Sequence, residues 1–265
     1  MSPVSPAMQG LIRDEIARIA AEEGVTVLLA VESGSRAWGF HSRDSDYDVR
    51  FVYARPADWF LRLDLTRDVI ERPISGELDI SGWELGKALT LAVKSNAVLP
   101  EWLQSPIRYV DNPEARAALS GFCRKALTRR PVTWHYLALA DRQSERQVTE
   151  QGIRLKRYFY TLRPAMALRW MRLRDAAMPP MNLWDLVAAV DLPPGVEGWL
   201  RQLVARKLEA GEMGYAAETD PAVDALIASE LQAARDWLAA PQAPHYPDHW
   251  AEANRLHLDL TRRFG

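Results

Sequence analysis

The apolar positions keep helical spacing at first, then strand spacing, then helical spacing for the rest of the chain. Leu11, Ile12, Ile16, Ile19 and Ala20 recur on one helix face and predict a helix over residues 5–23, stopped by Gly24. Residues 25–31 form an unbroken β-branched and apolar run, the mark of a buried strand, and close in the turn signal Glu32-Ser33-Gly34-Ser35. Tyr47 to Tyr53 alternates and predicts a second strand. Leu78-Asp79-Ile80 suits a short third strand, and residues 83–94 a helix. Between them, residues 55–74 fit a helix after Pro56 and an edge strand near Val69. From about residue 112 helical periods dominate, over 114–130, one long element at 132–174, then 183–190, 196–210, 221–239 and 249–262. Pro179-Pro180, Pro193-Pro194 and the stretch 241–247 separate the later ones. The pattern predicts an α+β domain over residues 1–115 and an all-helical domain over 116–265.

Composition changes this picture in three places. The chain has 265 residues, 48% of them hydrophobic, enough for a sizeable core. Its formal net charge of -2 hides an uneven distribution, since residues 121–175 hold thirteen Lys/Arg against four Asp/Glu. That block has the sign needed for phosphates, and equally that of a solvated helical surface. One cysteine, Cys123, excludes an intrachain disulfide and reads as a small core residue. The first residues lack a basic segment followed by an apolar one, and no run approaches the roughly 18 apolar residues of a membrane span. A cytoplasmic protein without a membrane partner is expected.

The stretch from Gly34 to Tyr53 carries the candidate chemistry. Asp46 and Asp48 share a face if the second strand begins there, with Tyr47, Val49 and Phe51 turned to the core. Two carboxylates one pleat apart repel each other unless a cation lies between them. A divalent ion supplies it, and oxygen ligands suit Mg2+ or Mn2+ better than zinc. A site for two ions needs a third acid. Asp79, pinned between two apolar residues, is preferred to Glu77, which points the same way two residues earlier. Gly34 permits close backbone approach, Ser35 offers a hydroxyl and an N–H to a phosphate, and Arg36 is within reach of the same group. Each element alone has a plainer reading as turn chemistry. A calcium loop counted from Asp44 fails at position twelve, which is Arg55. His41 and Asp44 read as loop residues of the same stretch.

A Gly-Ser turn after a strand, ten intervening residues, Asp-x-Asp entering a second strand and a hydrophobic-Asp-hydrophobic third strand together resemble the nucleotidyltransferase superfamily that includes DNA polymerase β. GSRAWGF, DSDYDVRFVY, LDISGWELGKAL, KSN, EWLQSPIRY and KRYFYTLRPAMALRW extend the similarity to the bacterial RNA-repair-associated RlaP family of polymerase-β-like nucleotidyltransferases. The resemblance implies a small mixed sheet with flanking helices, followed by a helical nucleotide- and substrate-binding domain. It implies that Asp46, Asp48 and Asp79 hold two Mg2+ or Mn2+ ions and that Gly34 and Ser35 bind a nucleoside triphosphate. A basic residue of the helical part is implied for the phosphates: Lys156 first, with Arg163 and Arg169 behind it. The implied reaction transfers a nucleoside monophosphate to an acceptor hydroxyl. The acceptor stays open between an RNA 3′ end and a protein or small molecule, and a non-catalytic nucleotide-binding module is the rival class.

Overall fold

A computed structural model describes residues 3–64, 67–144, 148–149, 152–216, 218–241 and 248–265. In chain order the elements are α1 (Pro6–Glu23), β1 (Thr26–Glu32), α2 (Gly34–Trp38), β2 (Tyr47–Ala54), β3 (Val69–Glu71), β4 (Leu78–Glu84), α3 (Leu85–Val93), α4 (Val98–Gln104), β5 (Arg108–Asp111) and α5 (Pro113–Ala126). They continue with α6 (Arg129–Ser144), β6 (Val148–Thr149), β7 (Gly152–Arg154), α7 (Leu155–Arg174), α8 (Leu183–Ala189), α9 (Val196–Ala210), β8 (Tyr215–Ala216), α10 (Pro221–Ala239) and α11 (Trp250–Phe264). A short 3-10 turn, Ala57–Leu61, follows Pro56. Among the described residues no helix is long and apolar enough to cross a membrane.

The chain divides into two compact units. Met1–Ala37, Asp46–Leu127 and Pro247–Gly265 make the first, and Trp38–Ser45 with Thr128–Tyr246 the second. The break therefore falls after Leu127 rather than at the expected 115/116. Helical periodicity marks α5 and α11 as helices but does not reveal that both pack in the α+β unit, where Lys125 pairs with Glu252 and Arg263 with Glu114.

The first unit is built on a mixed sheet of order β3-β4-β2-β1-β5, antiparallel except for β2 beside β4. β2 is central, so its residues are fixed from both sides. Its alternation sends Val49, Phe51 and Tyr53 into a core shared with Ile12, Ile16 and Ile19 of α1 and with Ile80 of β4. Buried side chains of this size contribute about 2 kcal/mol each. α1 can form this face because Ser5 caps its start, accepting from Met8 N–H at 3.2 Å, and Gly24 ends it at φ 61°. Gly82, the register partner of Phe51, makes room for that ring: a Cβ there would stand 2.2 Å from it. The third strand thus runs to Glu84, beyond the expected Ile80, and the helix read from residue 83 begins at Leu85.

The second unit is mainly helical. Within it the stretch read as one helix over 132–174 is two helices, α6 and α7, with a hairpin between them. β6 and β7 pair antiparallel, β8 adds to β7, and Gly152 takes φ 112° at the hairpin. Residues 141–147 are all polar, an interruption that the reading of one long helix passed over; residues 145–147, 150 and 151 lie outside the described residues, as do 242–247 of the proline stretch. Arg163 on α7 is fully buried, with its Nε donating to Met181 O at 2.8 Å and its guanidinium 4.5 Å over the Trp38 ring.

Candidate active site

The end of β1 and the start of β2 lie together, and Asp48 sits at that junction. Ser33 N–H donates to Asp48 O at 2.8 Å. Gly34 has φ 58°, a left-handed conformation that glycine adopts without strain. A Cβ at Gly34 would stand 1.9 Å from Asp48 Oδ2, so the carboxylate lies directly against the turn. Ser35 follows, buried on α2.

The parallel register then sets Asp48 opposite Asp79, on strands about 4.8 Å apart. Glu77 stands outside β4 with an exposed side chain, and its backbone carbonyl accepts from Tyr47 N–H at 2.7 Å. Between the facing carboxylates lies Arg50, whose Nη2 reaches Asp79 Oδ2 at 2.7 Å and Asp48 Oδ1 at 3.3 Å. The cation beside the paired acids in this structure is thus a side chain that the sequence reading passed over. Asp46 precedes β2 and is exposed.

Arg36 is placed differently from expectation. Its side chain turns inward, donating to Pro3 O at 2.9 Å and Asp46 O at 3.3 Å and lying 3.9 Å over the Tyr47 ring. Only 5% of the residue is exposed. A buried guanidinium must satisfy its N–H groups with nearby acceptors, and here backbone carbonyls do so. Arg36 thus holds the Asp46 backbone.

Sequence reasoning missed Glu32, read as part of a turn. It is fully buried, accepts from Asp48 N–H at 3.0 Å and from the Tyr109 hydroxyl, and so supports Asp48 from beneath. Burial pushes its carboxyl up to about 7, against the opposing effect of those hydrogen bonds. Its one sequence signal is an acid ending an apolar strand just before Gly-Ser.

Over residues 8–259 the chain matches the model of RlaP, described as the RNA repair pathway DNA polymerase beta family. The uncharacterized protein YcgL of Bacillus subtilis (strain 168) is 37% identical over 257 residues, covering 96% of each chain. This chain belongs to the RlaP family. A solved nucleotidyltransferase-like protein from Exiguobacterium sibiricum 255-15 aligns over 95% of this chain and 89% of its own, at 12% identity and a TM-score of 0.29, a likeness too slight to argue from.

The RlaP assignment makes the chain a polymerase-β-like nucleotidyltransferase by family, and the paired carboxylates are its candidate site. Its donor set is all oxygen, which fits Mg2+ or Mn2+. Among the described residues no three His, Cys, Asp or Glu side chains are gathered closely enough to hold an ion by themselves. That too fits magnesium, which binds through one or two carboxylates and completes its shell with water and substrate phosphates. Asp46 and Asp48, with Asp79 opposite, are the residues that would hold such ions.

In the second unit of this RlaP chain, Lys156 opens α7 and pairs with Glu212 Oε2 at 2.7 Å. Glu212 Oε1 also accepts from the hydroxyls of Ser42, at 2.9 Å, and Ser45, at 2.5 Å, and meets Lys207 Nζ at 3.4 Å. Lys207 is wholly buried and also donates to Ser42 Oγ at 3.0 Å. Burial draws the Lys207 ammonium down while Glu212 opposes it. Burial pushes Glu212 up, but its hydrogen bonds from Lys156 and Ser45 and the lysine charges win and hold it at about 2. Asp44 Oδ1 accepts from Glu212 N–H at 2.9 Å. Neither Lys207 nor Glu212 was singled out from sequence; Lys207 is one of only five lysines, the one available signal. The two reserve candidates are engaged elsewhere: Arg163 is buried, and Arg169 pairs with Glu230 at 2.6 Å.

Proposed function

We propose that the protein transfers a nucleoside monophosphate from a nucleoside triphosphate to an acceptor hydroxyl, releasing pyrophosphate. The observation that carries this reading is the register that faces Asp48 with Asp79 beside the Gly34-Ser35 turn, in a chain of the RlaP family. Asp46 and Asp48 would hold divalent ions, with Asp79 completing the set. Two Mg2+ or Mn2+ ions bound there would supply activation of the attacking hydroxyl and neutralisation of charge on the leaving group. The Gly34-Ser35 turn orients the triphosphate. The acceptor oxygen forms a bond to the α-phosphorus, the bond to the bridging oxygen breaks, and the pyrophosphate departs with that electron pair. Asp79 takes the proton of the attacking hydroxyl. Glu32 and Arg36 keep Asp48 and the Asp46 backbone in place through the hydrogen bonds described above. Lys156 is the basic residue we assign to the phosphates.

The acceptor we favour is an RNA 3′ end, in keeping with the repair pathway in the family's description. A protein or small-molecule acceptor is the second reading. It gains from the internal pairing of the basic stretch: Arg129 with Asp175, and Arg169 and Arg172 with Glu230, leave fewer cations for a long phosphate backbone. Asp48→Ala is expected to abolish metal-dependent incorporation of labelled nucleotide, by about 10²-fold or more, with its circular dichroism unchanged. Wild-type activity in that variant overturns the reading. Labelled RNA against labelled lysate protein separates the acceptors, and triphosphate binding without turnover on either identifies a regulatory module instead.

A further inference from the structure

Arg50 is a built-in cation of the carboxylate site. It stands two residues beyond Asp48 on β2, so strand alternation puts both on one face, and the parallel register brings Asp79 beside them. Its guanidinium is held by four acceptors. Nη2 approaches Asp79 Oδ2 at 2.7 Å and Asp48 Oδ1 at 3.3 Å, while Nη1 donates to Val49 O and Asp79 O at 3.0 Å each. Only 20% of the Arg50 side chain is exposed, so solvent screens its charge poorly.

Resting on the carboxylate reading above, we infer that Arg50 limits the site to one tightly bound divalent ion until a triphosphate is present. An ion on Asp79 must share that carboxylate with a positive charge already 2.7 Å from its oxygen. The repulsion between like charges a few ångströms apart in a half-buried site is large enough to decide occupancy. Asp46, which is exposed and carries no ion pair among the described residues, escapes that competition, and Asp48 meets Arg50 at the longer distance. One ion is therefore held by Asp46 and Asp48 alone. The second arrives with the triphosphate, whose negative charge offsets the guanidinium. Arg50 thus keeps the acids from repelling one another in the absence of nucleotide and couples completion of the metal site to substrate.

Titrating the full chain with manganese, and following free Mn2+ by electron paramagnetic resonance, tests this. The unmodified protein is expected to bind one ion without nucleotide and two with a non-hydrolysable nucleoside triphosphate. Arg50→Gln, which keeps a hydrogen-bonding group but no charge, is expected to take the second ion without nucleotide, at least about tenfold more tightly than the unmodified chain. Arg50→Lys, which keeps the charge, is expected to follow the unmodified chain. Two ions on the unmodified chain without nucleotide, or no gain in Arg50→Gln, overturns the inference and leaves the carboxylate reading standing. No manganese bound to the unmodified chain, with or without triphosphate, overturns that reading and this inference with it. The count on the unmodified chain needs no variant, so misfolding of Arg50→Gln does not shield the inference.

Discussion

Glu32 in the first unit and Glu212 in the second are both largely buried carboxylates that tie a loop or turn to a strand or helix, yet their charges behave oppositely. Glu32 receives a tyrosine hydroxyl and a backbone N–H, and is pushed up to about 7 by its burial. Glu212 is also pushed up by burial, but two ammonium groups and two hydroxyls hold it at about 2. The difference lies in the charge of the donors. Neutral donors satisfy the oxygens without compensating the charge, so Glu32 changes protonation near neutral pH. Cationic donors do both, so Glu212 stays ionised and works as a permanent ionic lock on the Ser42 and Ser45 hydroxyls.

Three measurements break or sharpen this contrast. The largest effect is expected from Glu212→Ala, which leaves the buried Lys207 ammonium without the carboxylate it meets at 3.4 Å and should lower the unfolding free energy by about 4 kcal/mol in urea titrations. The same contribution should be lost in the unmodified chain as pH falls from about 4.5 to about 2, because a folded pKa below the unfolded value stabilises only where the group is ionised. An unchanged urea midpoint in Glu212→Ala would show that the cluster is no lock. Next comes Glu32, with the opposite sign. Its folded pKa, about 7, lies above the ordinary glutamate value of 4.5, so the folded state binds the proton more strongly. The stability it confers is complete below about 4.5 and is lost as pH rises to about 7. Glu32→Gln should therefore match the unmodified protein in acid and exceed it by about 3 kcal/mol at pH 8; a difference that does not vary with pH refutes the assignment. The smallest is Tyr109→Phe, which removes one hydrogen bond to Glu32 and should cost about 1 kcal/mol, read as a shift in thermal midpoint.

What the sequence disclosed follows the range over which each feature is determined. β1 and β2 were legible because β-branched runs and alternation are local, and Asp79 was legible because Leu78 and Ile80 fix its face. Alternation also held the clue to Arg50, which shares the Asp48 face, but its position between two acids depends on pairing with β4, far along the chain. Arg36 was read outward because nothing local shows that Pro3 O and Asp46 O will take its N–H groups. Lys207 and Glu212 meet Ser42 and Ser45 across more than 160 residues, and α11 returns to the first unit over a similarly long stretch of chain. Periodicity joined α6 and α7 into one helix across the polar stretch that precedes the Gly152 hairpin.

The return of α11 also bears on how the protein is made. The first unit needs residues 248–265, whose Glu252 and Arg263 pair with Lys125 and Glu114. Synthesis delivers the chain in order, at about 5–20 residues per second. The nascent sheet must therefore wait about 6–24 seconds, with the α3 and α5 surfaces that α11 covers left bare, while residues 128–246 leave the ribosome. By the end of that interval the second unit has its whole sequence while the first still lacks α11, so the unit that begins first is the one completed last.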